Sequence, residues 1–371
     1  MKFIKIPAFA IVLLLLMQIV SKVFIAIYSS DIENIYGFYA EPKNSLDMVM
    51  IGPSEVYTGY APALAWEEYG LKSCNLSIGA VPCNMYKSIV TEIVKRQKPK
   101  LLIINAAAFS HGNWNLTDEV FLRKWIDNIP MSQNKLDTVK TIPKNINKDD
   151  EKVQDNISDT LYFPLEKYHG NWKDPDAVYT SFVTRTYMRL SGGGYLKGFF
   201  SKTGITGGRD NLANIGQPTK EAYVLTDECR AYLKELLSYC NKLGIEHVLL
   251  LQPPHETEAA DKSGLEQIES ITKEYGYDFL DLSTDYESIA GIDDSHDFAD
   301  FEHLNAYGAQ KLSSYIGNLA VNQYGIKSDT SDSELSRWEK SVKRTKKALK
   351  MAREYTDRGE AQVVGEYEAA K

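Results

Sequence analysis

The sequence predicts an α/β fold, a three-layer sandwich in which helices cover both faces of a parallel sheet. Three observations predict it. Short, continuous apolar runs stand at residues 47–51, 101–104 and 247–251, the pattern of strands buried on both faces. Segments with helical spacing separate them. This strand–helix alternation recurs from residue 47 to 324, and alternation implies parallel strands joined by crossovers.

Each element follows from local signals. Residues 47–51 (DMVMI) end in Gly52-Pro53, a strand exit, and residues 62–69 read as a short helix. Residues 84–97 carry apolar side chains at helical spacing (Met85, Ile89, Ile93, Val94) and stop before Pro99. The run 101–104 is the second strand. Thr226 caps a helix with Asp227 and Glu228 in its first turn, ending near Gly244. The run 247–251 is a strand closed by Pro253-Pro254. Residues 265–275 read as a helix, 278–280 as a short strand, and 306–324 as the last core helix. Two regions break the rhythm. Residues of about 111–220 are polar and rich in Asn, Asp, Lys and Gly, including the run 144–151, and a stretch this long is expected to be a lid or binding insertion. Residues 328–371 form a charged helical tail. The expected organisation is thus an N-terminal segment (1–30), a main domain (31–327) and the tail.

Residues 6–28 are almost all apolar, long enough to span a bilayer, with Lys22 placed to snorkel. Lys2 and Lys5 precede the span, so the positive-inside rule puts the N-terminus in the cytoplasm and the rest of the chain outside, as a single-pass membrane protein. A cleaved signal peptide is the rival reading, but its apolar region is usually shorter. The 371 residues carry a formal net charge of −8, with 43% hydrophobic and 25% charged residues. No basic stripe tracks phosphates in the first 325 residues, so nucleic acid is not an expected partner. The basic run at 340–350 reads as a solvated helix face. The four cysteines lack zinc-ligand spacing. Cys229 and Cys240 share one helix, about 16 Å apart, too far for a disulfide. Cys74 and Cys83 flank a turn and could bridge, although two buried free thiols are the plainer reading. No cofactor is expected.

Three motifs carry chemistry. Ser54 follows the exit of a buried strand, where open α/β sheets bind ligands. Asp300 stands three residues before His303, close enough to fold back on the imidazole and fix its tautomer, as a serine's general base requires. In Asn75-Leu-Ser-Ile-Gly79 the glycine N–H could approach an oxyanion, a contact worth about 3 kcal/mol in the transition state. Each has a plainer reading: turn serine, solvated acidic loop, loop glycine. A hard-cation site around Asp293, Asp294, His296, Asp297 and Glu302, or a metal held by His296, Asp297 and His303, also stays open.

Together these residues resemble the SGNH/GDSL hydrolase family, with Gly52-Pro53-Ser54 as first block and Asp300-x-x-His303 as last. Asn75 and Gly79 match the second block loosely, and residues 249–254 look like the strand before the final block. The resemblance spans about residues 47–325 and implies a flavodoxin-like α/β/α fold. It is closer to membrane-anchored SGNH proteins found beside membrane-bound O-acyltransferases in surface-polysaccharide modification, and more distantly to the D-alanyl transfer protein. Those share the anchor and a Phe-Pro-Leu-x-Lys-Tyr-His-x-x-Trp segment, here Phe163 to Trp172. The resemblance implies an acyl-serine intermediate on Ser54, with His303 as base and Asp300 as its orienter. It further implies an oxyanion held by the N–H groups of Ser54 and Gly79, with Asn105 the nearest match to the third-block Asn. His169 and Trp172 would line the cleft. Substrates would be acyl esters on cell-surface polysaccharides, with a membrane O-acyltransferase as partner. Pro53 departs from the family's first block outside the triad. Glu55 follows the serine where relatives often carry His, and a carboxylate there could repel an oxyanion. Glu55 and the unrecognisable third block favour the alternative of a non-catalytic accessory protein.

Overall fold

The computed structural model describes residues 2–25, 29–142 and 157–370. Its centre is a five-stranded parallel sheet: β1 (Met48–Gly52), β2 (Ser73–Ser77), β3 (Leu101–Asn105), β4 (His247–Gln252) and β5 (Asp278–Asp281), in spatial order β2-β1-β3-β4-β5. That 2-1-3-4-5 order has its switch point between β1 and β3, so the crevice outside their carboxyl ends is the natural ligand position. Alternation along the strands feeds two cores. Val49, Ile51, Leu102, Ile104, Val248 and Leu250 face one helical layer, and Met48, Met50, Leu101, Ile103, Leu249 and Leu251 the other.

The first layer holds α2 (Ser29–Ala40) and α5 (Tyr86–Arg96), and further along the chain Asp227–Leu243 and Ser263–Glu274. The second holds α3 (Ser54–Gly59), α4 (Pro62–Tyr69) and Ala306–Asn318. Thr226 caps the helix Asp227–Leu243 through its side chain, and Gly244 closes it in the left-handed conformation. All four cysteines are buried and free, Cys74 and Cys83 included, and Cys83 Sγ lies 3.7 Å from Cys229 Sγ on that helix.

Asn75 lies within the edge strand β2, with Gly79 in the turn that follows it, and residues 29–40, to which no element was assigned from the sequence, form a helix packed on β2. The tail does not stand outside the core. Its helix Asp332–Asp357 packs on α4, burying Trp338, Ala348, Leu349 and Ala352, and its last strand (Val363–Val364) pairs with Ser201–Lys202.

The N-terminal residues Lys2–Phe24 form one helix, α1. Among the described residues no helix is long and apolar enough to cross a membrane. Residues 26–28 and the side chains of residues 2–8, 10, 11, 14 and 15 lie outside the description, as does the polar run 144–151. Phe9, Val12, Leu13, Leu16, Ile19 and Val20 are exposed. Lys22 does not reach outward: its Nζ donates to the carbonyls of Asp127 and Ile129 at 2.5 and 3.2 Å. The described residues of the insertion are largely helical, and Arg185, on the helix Pro175–Leu190, donates to the Lys22 and Ile25 carbonyls, satisfying acceptors that a helix end leaves open.

Candidate active site

The crevice is built by strand exits. At the end of β1, Gly52 lies so close to β3 that a Cβ there would meet Asn105 Cβ at 2.4 Å and Val56 Cγ2 at 2.7 Å. Only glycine fits. Ser77, ending β2, donates its hydroxyl to the Pro53 carbonyl, which pins the turn that presents Ser54 at the head of α3.

The opposite wall is the loop before the helix Ala306–Asn318. Asn305 caps that helix, accepting from the N–H groups of Tyr307 and Gly308, and its Nδ2 donates to the carbonyls of Gly204 and His296. Within the loop, Asp300 Oδ1 accepts from the backbone N–H groups of Glu302 and His303 at 3.1 and 3.0 Å, so the three-residue spacing closes on itself. The same oxygen lies 2.7 Å from His303 Nδ1, and His303 Nε2 lies 2.7 Å from Ser54 Oγ. The hydrogen-bond pattern puts the ring proton on Nδ1, leaving Nε2 to accept from the serine hydroxyl. Glu55 Oε2 is 3.4 Å from Ser54 Oγ, longer than a good hydroxyl hydrogen bond, so His303 is the serine's short partner.

Lys202 carries no local sequence signal. Its strand pairs with the tail, and its Nζ donates to Asp300 Oδ2 and sits 3.2 Å from His303 Nδ1. Burial alone would raise the Asp300 pKa. The hydrogen bond and charge of His303, then Lys202, outweigh it and hold the carboxyl well below its usual range. Glu302 moves the other way, raised by burial and by the charge of Glu55.

The remaining candidates separate. Asn105, at the end of β3, accepts the Ala107 N–H at 2.7 Å through Oδ1, while its Nδ2 is buried without a partner among the described residues. It borders Gly52, two residues from Ser54. The Gly79 N–H is occupied, donating to Asp31 Oδ1 at 2.8 Å, and the Gly79 carbonyl accepts from Lys124. Asn75 is a strut inside β2, its Nδ2 donating to the carbonyls of Tyr60 and Gly198. His169 and Trp172 do not join the triad. Their short helix (His169–Lys173) packs on α1, Pro164–Tyr168 and Pro175–Leu190, and Trp172 is 65% exposed. The set His296, Asp297 and His303 does not gather a metal. Asp297 is buried and spends its oxygens on the Asp293 N–H, His296 Nδ1 and Lys311 Nζ, while His303 turns to Asp300 and Ser54. Among the described residues, the His, Cys, Asp and Glu side chains that can converge on one cation are His111, Glu221 and His255.

Tyr57, one turn after Ser54, is a further wall residue that the motifs did not flag. Burial raises its hydroxyl above the ordinary range, and Asp31 and Glu55 add to that, so it stays a donor. A nucleophile–base–carboxylate relay beside buried donors can carry acyl transfer. No family model matches the chain, and no curated protein matches it significantly.

Proposed function

We propose that this chain is a serine-dependent acyl-ester hydrolase or O-acyltransferase of the SGNH type, held at a membrane by α1 and acting on the outer side. The observation that carries the reading is the relay Ser54 Oγ–His303 Nε2–His303 Nδ1–Asp300 Oδ1, with 2.7 Å at each hydrogen bond. Ser54 attacks the acyl carbonyl as His303 Nε2 takes its proton, and Asp300 steadies the imidazolium. The resulting acyl-serine is released to water by an esterase or to a sugar hydroxyl by a transferase. Oxyanion donors are the Ser54 N–H and Asn105 Nδ2. The Gly79 N–H joins them only if Asp31 moves.

The strand order and the strand-end position of Ser54 support the family reading. The anchor rests on the apolar sequence of residues 6–28, the exposed apolar side chains of α1, and Lys2 and Lys5 ahead of it. Surface polysaccharide as acceptor, and a membrane O-acyltransferase as partner, follow from the resemblance and that orientation.

Two observations favour a non-catalytic accessory of the same fold: the Glu55 carboxylate beside Ser54 and the occupied Gly79 N–H. The full chain in detergent decides between them. Wild type is expected to hydrolyse p-nitrophenyl acetate, and Ser54→Ala to lose about 10³-fold or more of kcat. Equal rates in the two would overturn the serine mechanism.

A further inference from the structure

A second cluster of chemistry-bearing groups stands in the same crevice region and takes no part in the relay. Three segments supply it. His111 follows β3 and the short helix Ala107–Ser110, Glu221 lies on the strand Lys220–Ala222, and His255 comes after β4 and Pro253-Pro254. The bridge His111↔Val224 and the bond from the Val224 N–H to the Ser110 carbonyl (2.7 Å) fix the first segment to the second.

One carboxylate serves both imidazoles. Glu221 Oε1 is 3.2 Å from His111 Nδ1, and Oε2 is 2.9 Å from His255 Nδ1. Thr257 donates its hydroxyl to Oε2 at 3.2 Å, so the carboxylate is itself oriented. The ring centroids are 5.7 Å apart, and Tyr223 lies against both, at 6.1 and 6.3 Å. His255 is 0% exposed. Nevertheless both Nε2 atoms, His111 and His255, are buried without a partner among the described residues. Buried polar atoms of native proteins are rarely left so.

We propose that His111, Glu221 and His255 bind a divalent cation of the zinc class. One ligand atom from each side chain lies within 4.8 Å of the others. The Nδ1 contacts of 3.2 and 2.9 Å each run to a different oxygen of Glu221, so they hold the carboxylate between the two rings, and an ion shared by the three side chains takes one atom from each. Two imidazoles and one carboxylate select zinc or a similar transition ion over magnesium or calcium, which prefer oxygen. Three protein ligands leave a position for water or a substrate oxygen, the arrangement of open rather than structural zinc sites. The charge of Glu55 reaches both rings and that of Glu302 reaches His255, so a dication here also offsets the negative charge beside Ser54. The site is independent of the serine reading, because none of its ligands touches the relay.

The test uses the full chain in detergent, stripped with chelator and titrated with Zn²⁺, then with Co²⁺ as a spectroscopic probe. Wild type is expected to take one equivalent, to show the visible bands of a low-coordinate cobalt site, and to unfold at higher temperature with the ion present. His111→Gln and Glu221→Gln should each weaken binding by about 100-fold or more. Ser54→Ala and His296→Gln should bind as wild type does, which separates this site from the relay and from the Asp297 loop. No binding by the wild-type chain overturns the proposal, as does binding that His111→Gln and Glu221→Gln leave unchanged. A variant that fails to fold does not remove the test, since the wild-type titration alone can refute it.

Discussion

Asp300 answers to two partners, and that division sets what each should do. His303 needs the carboxylate to hold its tautomer, while Lys202 draws on the same charge from the other oxygen. Asp300→Asn should therefore lower kcat by about 10⁴, because the amide can favour the wrong tautomer. Lys202→Met should cost less than about tenfold and, by leaving the full Asp300 charge to His303, move the acid limb of kcat/KM upward by up to about one pH unit. A pH–rate profile of the two variants checks both; an unmoved limb in Lys202→Met would make the lysine merely structural. The depressed Asp300 pKa also has a stability sign. Its contribution is fully present above the ordinary carboxylate value of 3.8 and is lost as pH falls through the lower folded value. Asp300 and His303 were legible in the sequence because three residues of loop suffice to bring them together. Lys202 was not, since its position depends on a strand from the far end of the chain.

At the scale of elements, α2 and its neighbours hold a carboxylic acid rather than a carboxylate. Glu33 lies under the last turn of the chain, where its Oε2 accepts the Glu366 N–H at 3.0 Å. Burial, the largest influence, pushes its pKa up to about 8, against an ordinary 4.5; the Glu366 N–H opposes this only in part. A raised carboxyl pKa means the folded state keeps a proton the unfolded chain has lost. The stabilisation is thus complete below about pH 4.5 and declines as pH rises toward 8. Glu33→Gln keeps an acceptor and removes the titration. Relative to wild type it should gain stability on going from pH 5.5 to 8.5, by about 2–4 kcal/mol, read as denaturation midpoints at the two pH values. Parallel dependence in the two proteins would rule Glu33 out as the source. The elements themselves were unevenly legible. β1, β3 and β4 announce themselves as apolar runs, whereas β2 reads Ser-Cys-Asn-Leu-Ser and looks like a loop. Its polar side chains find tertiary partners inside: the Asn75 Nδ2 two carbonyls, Ser73 the Tyr60 hydroxyl, Ser77 the Pro53 carbonyl. No local pattern encodes such partners.

For the molecule as a whole, the tail is where composition misleads most. Its charged sequence left the packing of the helix open, and a stripe of Trp338, Ala348, Leu349 and Ala352 faces inward while the lysines remain outside. Trp338 stacks on Trp66 at 5.7 Å and 15°, and Lys197 Nζ lies 5.0 Å from its ring. Arg337 and Lys197 then share the buried Glu41 carboxylate. Farther on, Val363–Val364 forms the partner strand for Ser201–Lys202, so the tail also positions the lysine that touches Asp300. A chain ending at residue 330 would expose the faces of α4 and Ala306–Asn318, leave Glu41 with a single cation and free the strand carrying Lys202. Loss of the Trp338 ring alone should cost about 3–5 kcal/mol, comparable with the whole stability of many domains. The truncated chain is therefore expected to lose its cooperative thermal transition and aggregate, with Trp338→Ala unfolding at a lower midpoint but still cooperatively. Circular dichroism melts of the two, in the detergent used for the full chain, check this. A truncated chain that melts as sharply as wild type would show that the tail is dispensable to the core and acts only on Lys202.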